Sequence, residues 1–120
     1  MTDFIWVGLG GMLGSMARYG VSVWIRSFGI SSGFPVATLI VNVVGCFGIG
    51  FLSGVVERSG GNQIQVFAIT GILGGFTTFS AFGLETWSLI QTQQTGWAAM
   101  NLALSLVLGL AAVAGGRFLS

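Results

Sequence analysis

Histidine and lysine are absent from this 120-residue chain, cysteine and proline occur once each, and only 6% of the residues are charged. Each shortage excludes something. Without histidine, and with Cys46 as the lone thiol, the sequence offers no nucleophile-base pair and no cluster of metal-binding side chains, so an enzyme is not expected. Cys46 has no partner for an intrachain disulfide and reads as a small buried residue. Four scattered arginines and a net charge of +1 supply no basic patch, which excludes a nucleic-acid partner. Charges this sparse cannot coat a soluble globule, and the chain is expected to be an all-α integral membrane protein.

What remains is apolar: 53% of the residues are hydrophobic and the mean hydropathy is +0.92. A helix needs about 20 apolar residues to cross the hydrocarbon core, and runs of that size lie at Phe4–Ile25, Phe34–Val56, Ile64–Ile90 and Gly96–Leu119. Four transmembrane helices in one domain, residues 1–120, are therefore predicted. The connections are short: Ser27–Gly33 leading to Pro35, Glu57–Asn62 with its Gly-Gly pair, and the polar Gln91–Thr95. Trp24, Trp87 and Trp97 fall near predicted helix ends, where amphipathic rings suit the membrane interface. No basic region precedes Phe4, so the first run is expected to stay as a membrane helix rather than to be cleaved as a signal.

The third run contains G-G-F-T-T-F-S at Gly74–Ser80. Two adjacent glycines and two β-branched threonines make poor continuous helix, and a break at mid-membrane is predicted there. Backbone groups freed at that depth must be buried in protein or line a polar cavity or ion site. The rival reading is that the glycines serve close helix packing, as the small-xxx-small spacings at Gly10/Gly14 and Gly50/Gly54 also suggest.

Several polar residues lie within the runs. Thr38 and Asn42 share one face of the second helix, and Asn101, Ser105 and Gly109 form a narrow stripe on the fourth. The stripe suits helix-helix hydrogen bonding and a polar pathway equally well. Phe79 and Phe82 share a face after the break and, taken alone, fit ordinary packing. Arg18 needs a partner or a route to the headgroups, with Glu85 the candidate counter-charge. Arg58 and Arg117 on one side are set against Arg26 and Arg18 on the other, so the positive-inside bias is near nil and both orientations are permitted. Four helices cannot enclose a pathway alone, which points to an oligomer, and two oppositely oriented copies would close it by two-fold symmetry.

The segments G-G-M-L-G-S-M-A-R-Y at Gly10–Tyr19, V-N-V-V-G-C-F-G-I-G around Asn42, and above all G-I-L-G-G-F-T-T-F-S-A-F at Gly71–Phe82 resemble the Fluc family of bacterial fluoride channels, also called CrcB. The resemblance spans all four predicted helices. It implies an antiparallel, dual-topology homodimer in the bacterial inner membrane, with narrow fluoride pathways and a structural sodium ion at the dimer centre. The sodium would be held by the backbone carbonyls of Gly74 and Thr77. Asn42 corresponds to the pore asparagine, Phe79 and Phe82 to the pore rings and Ser80 to the adjacent hydroxyl, with Thr38, Asn101 and Ser105 as further pathway positions. Ala81 departs from the family, many members of which carry threonine there.

The chemistry agrees with that implication. Fluoride is strongly hydrated, and an uncompensated ion in a low-dielectric interior faces a barrier of tens of kcal/mol on a Born estimate. Amide and hydroxyl donors and the positive edges of aromatic rings can replace its water without a fixed cation that would hold it too tightly. A proton-coupled drug antiporter would call for a carboxylate central to the bundle, and Glu85 lies toward a helix end. A purely structural membrane protein would leave the break at Gly74–Ser80 without a purpose.

Overall fold

The computed structural model describes residues 1–30 and 33–120. Its elements are α1 (Thr2–Ser27), α2 (Val36–Ser59), α3 (Asn62–Ile64), a π-helical segment (Gln65–Leu73), α4 (Gly74–Phe76), α5 (Phe79–Gln91) and α6 (Thr95–Leu119). No strand occurs among the described residues. α3, the π segment and α4 run on as one helical rod, so the chain reads as four long helical passes, the third interrupted. The four predicted runs coincide with these passes to within a few residues at each end. The turn between α2 and α3 is shorter than expected, because Glu57 and Arg58 remain helical and Gly60, at φ +65°, ends the helix in the left-handed conformation that glycine adopts without cost. The predicted link Ser27–Gly33 includes Ser31 and Ser32, which lie outside the described residues.

Three of the passes, Val36–Ser59, Asn62–Gln91 and Thr95–Leu119, are long and apolar enough to cross a membrane. α1, with 26 residues, has the length but not the apolarity. The reason is local: Ser15, Arg18, Tyr19, Ser22 and Arg26 line a polar cavity against α2 and α5, so part of α1 is polar inward.

Packing pairs α2 with α6, and α1 with the π segment and α4. In lipid, helices gain little from burying apolar side chains against one another, and close backbone approach takes over. A Cβ on Gly71 would lie 2.9 Å from the Gly10 Cα, and one on Gly75 would lie 2.5 Å from the Gly11 carbonyl oxygen. Gly50 faces Val113, and Gly116 faces the backbone of Phe47 and Phe51, in the same way across α2 and α6.

The interruption differs from the expected one. Gly74 and Gly75 are helical, with Gly74 at φ −62°, ψ −38°; only Thr77 (φ −78°, ψ 156°) and Thr78 (φ −149°, ψ 118°) leave the helix. The two readings of G-G-F-T-T-F-S are therefore both realised, by different residues. The glycines pack, Gly75 lying on Gly11, and the β-branched threonines adopt the extended backbone they favour. The break falls near the middle of the 30-residue third pass.

Candidate functional site

A cleft of about 380 Å³ opens beside the break, lined by Asn42, Cys46, Leu73, Gly74, Thr77, Thr78, Phe79, Phe82 and Ser105 among others. α2 contributes Asn42 one turn before Cys46, α6 contributes Ser105, and the restart of helix at Phe79 aims both phenyl rings at the opening. The rings lie 5.6 Å apart between centroids, tilted by 43°. Among the described residues no charged side chain lines the cleft.

Asn42 anchors the geometry. Its Nδ2 donates to the Thr78 carbonyl at 3.0 Å, and the Thr78 N–H donates to Asn42 Oδ1 at 2.8 Å. The side-chain amide thus pairs with the extended backbone much as a neighbouring strand would. A carboxamide nitrogen carries two hydrogens, and the one not used on Thr78 remains for the cleft.

The same bonds free two carbonyls. In an uninterrupted helix the Thr78 N–H would serve the Gly74 carbonyl, but it goes to Asn42 instead. The Ala81 N–H would serve the Thr77 carbonyl, but it donates to the Thr78 hydroxyl at 3.2 Å, capping α5. Gly74 and Thr77 therefore present neutral oxygens without their helical donors. Among the described residues no cluster of histidine, cysteine, aspartate or glutamate could hold a metal. Bare carbonyls suit a hard cation.

The expected pathway residues do not all gather here. Asn42, Phe79, Phe82 and Ser105 share the cleft. Ser80 is exposed, its hydroxyl 3.3 Å from that of Thr78. Thr38 lies instead in the polar cavity of about 340 Å³ beside α1, where it donates to Glu85 Oε1 at 2.8 Å. Asn101 is buried, at 2% exposure, and donates to the Thr86 hydroxyl at 2.9 Å rather than lining either cavity. Glu85 shares the polar cavity with Arg18 but forms no ion pair with it; its second oxygen is buried without a hydrogen-bond partner. Among the described residues the ion pair is that of Arg117 with Glu57, at the opposite ends of α6 and α2 from Asn101 and Thr38.

Thr78 is the residue that sequence reasoning passed over. It clamps to Asn42, caps α5, and lines both the cleft and the polar cavity, so it stands between the two. A threonine directly before the resumed helix was the available signal, since threonine is a favoured N-cap.

Fold and site together define a helical membrane protein with a discontinuous helix whose break opens on a largely apolar, uncharged cleft bearing the polar side chains of Asn42, Thr77, Thr78 and Ser105. Residues 5–117 match the family described as CrcB-like protein, Camphor Resistance (CrcB), and the chain belongs to that family. It is 46% identical over 113 residues to a protein of Paracoccus denitrificans, covering 94% of this chain and 90% of that one. It is 44% identical over 119 residues to a protein of Helicobacter pylori, covering 98% and 92%. A protein of Ruminiclostridium cellulolyticum is 39% identical over 122 residues, covering 100% and 93%. All three relatives bear the name fluoride-specific ion channel FluC.

Proposed function

We propose that this chain is a fluoride-specific ion channel of the bacterial inner membrane, giving passive efflux that lowers fluoride inside the cell. The observation that carries the reading is the uncharged cleft at the helix break, where the remaining Asn42 N–H, the Ser105 hydroxyl and the phenyl rings of Phe79 and Phe82 converge. Amide, hydroxyl and ring edge are the neutral donors a dehydrated small anion needs, and near-full-length relatives carry the same functional name. In this reading the path runs past Asn42, Phe79, Phe82, Ser80 and Ser105 and continues beyond Thr78 into the polar cavity that holds Thr38. Asn101 braces the wall.

The working unit is an antiparallel homodimer. Phe79 is 84% exposed at the edge of the cleft, and a second copy would cover that ring and close the open side. α1 then serves as the fourth span, its polar face turned to the cavity. A structural sodium ion fits the carbonyls of Gly74 and Thr77, since neutral oxygens compensate one charge better than two. Two copies would supply four such oxygens about the axis.

The test is fluoride efflux, read with an ion electrode, from liposomes holding the purified protein under an opposing cation gradient with ionophore. Fast fluoride efflux with chloride retained is expected; chloride leaving as fast as fluoride would refute the reading.

A further inference from the structure

α5 carries both phenyl rings yet buries little of itself within a single copy. Of its 13 residues, the buried ones are Thr86 and Leu89. An apolar contact such as that of Leu89 has no preferred azimuth, and in lipid it has little driving force against sliding or rotation. A hydrogen bond between buried side chains is directional.

One such connection reaches the rings from behind. The Asn101 amide donates to the Thr86 hydroxyl at 2.9 Å, and that hydroxyl donates to the Phe82 carbonyl at 2.7 Å. Thr86 and Asn101 are 7% and 2% exposed, so neither touches an ion in the cleft. In a dry setting the two bonds polarise each other in the same sense. Threonine bonding back to the carbonyl four residues earlier also bends a helix slightly at that turn. The carbonyl so bonded is that of Phe82 itself, one turn from Phe79.

The geometry points to Thr86 and Asn101 as positioning residues for ion passage: together they fix the rotation of α5, so that the edges of Phe82 and Phe79 face the cleft. This rests on the channel reading given above. A site holding an ion by ring edges tolerates an error of about 10–20°, which apolar packing of α5 does not guarantee. The stripe on α6 thereby divides, with Ser105 in the cleft and Asn101 one turn back, holding the opposite helix.

Three variants and two readouts decide it. Thr86→Val keeps shape but removes the hydroxyl, Thr86→Ser keeps the hydroxyl, and Thr86→Val with Asn101→Leu replaces both partners by apolar groups, a change that need not cost stability. Fluoride efflux is expected to fall about tenfold in Thr86→Val and in the double variant, equivalent to about 1.4 kcal/mol; the double variant should keep dimer yield and melting temperature close to wild type, whereas Thr86→Val, which leaves the buried Asn101 amide unpaired, should also lower the melting temperature. Thr86→Ser should conduct within about twofold of wild type, as expected when the bond rather than the side-chain bulk matters. The second readout does not depend on conduction: 4-fluorophenylalanine at position 82 should give one fluorine NMR signal in the wild-type background and a shifted or split signal with Thr86→Val. Wild-type efflux from the double variant, efflux from Thr86→Ser as low as from Thr86→Val, or an unmoved fluorine signal would each overturn the proposal. A wild-type protein that passes no fluoride would refute the channel reading instead, and the fluorine signal would still judge the positioning.

Discussion

Asn42 and Thr78, 36 positions apart, exchange two hydrogen bonds, so that one side chain satisfies both backbone groups of the residue at which the third pass breaks. The amide that offers a donor to the cleft is thus also the clamp that keeps the break open. In the proposed channel reading, conduction and local stability are tied to the same residue.

Replacing Asn42 should therefore act twice. Asn42→Leu removes the free donor and leaves the Thr78 N–H and C=O unpaired, which costs about 1–3 kcal/mol. Both a fluoride flux more than tenfold below wild type and a lowered melting temperature are expected. Phe79→Ile and Phe82→Ile keep apolar bulk without the ring edge, and should lower flux with the melting temperature preserved. Unchanged efflux across all three variants would remove these residues from the pathway.

Glycine positions give a contrast in stability. Gly75→Ala places a methyl 2.5 Å from the Gly11 carbonyl oxygen, with backbone on both sides and nothing flexible to yield. The pair of passes must separate, and detergent-stable protein should be largely lost. Gly83→Ala on α5 meets nothing within 4 Å, so it should be neutral or stabilising by about 0.5–1 kcal/mol. Melting curves of the two variants side by side check both halves.

Orientation can be forced by small charge changes, because the arginines are nearly balanced. Lysines at the exposed Asn62 and Gln63, beside the turn at Gly60, should direct that end to the cytoplasm, and lysines at Ser27 and Phe28 should direct the opposite end. Neither variant alone is expected to make active dimers, while co-expression should restore flux. Full activity from one fixed orientation would exclude an antiparallel dimer.

Cation removal tests the carbonyl site. Purification with a large organic cation in place of sodium should lower dimer stability or fluoride flux, and returning sodium should restore it. Unchanged values for both with sodium verifiably absent would rule out a structural ion at Gly74 and Thr77.

The helical passes were legible because long apolar runs admit few alternatives, and the interruption was legible because backbone-weakening residues gathered at its centre. Its location within G-G-F-T-T-F-S was not. Which residues break and which pack depends on Gly11 lying under Gly75 and on Asn42 reaching Thr78, and both contacts join distant segments. Thr38 and Asn101 were expected on one pathway with Asn42, and the structure sets Thr38 in the polar cavity and Asn101 in neither cavity. Sequence could not say that Thr38 turns to Glu85 and Asn101 to Thr86, because a helical face does not name its neighbour. The π-helical turns at Gln65–Leu73 left no trace in composition or spacing.

Those π turns bear on how the length of the chain can change. A π turn holds more residues than an α turn, so Gln65–Leu73 stores slack within a helical pass. Deleting one residue there lets the ladder tighten toward α while both ends keep their bearings. The same deletion in α2 or α6 would swing everything beyond it by about 100°, carrying Asn42 or Ser105 away from the cleft. Natural insertions and deletions in this pass should therefore collect at residues 65–73, and that segment is the place to shorten when the chain is re-engineered.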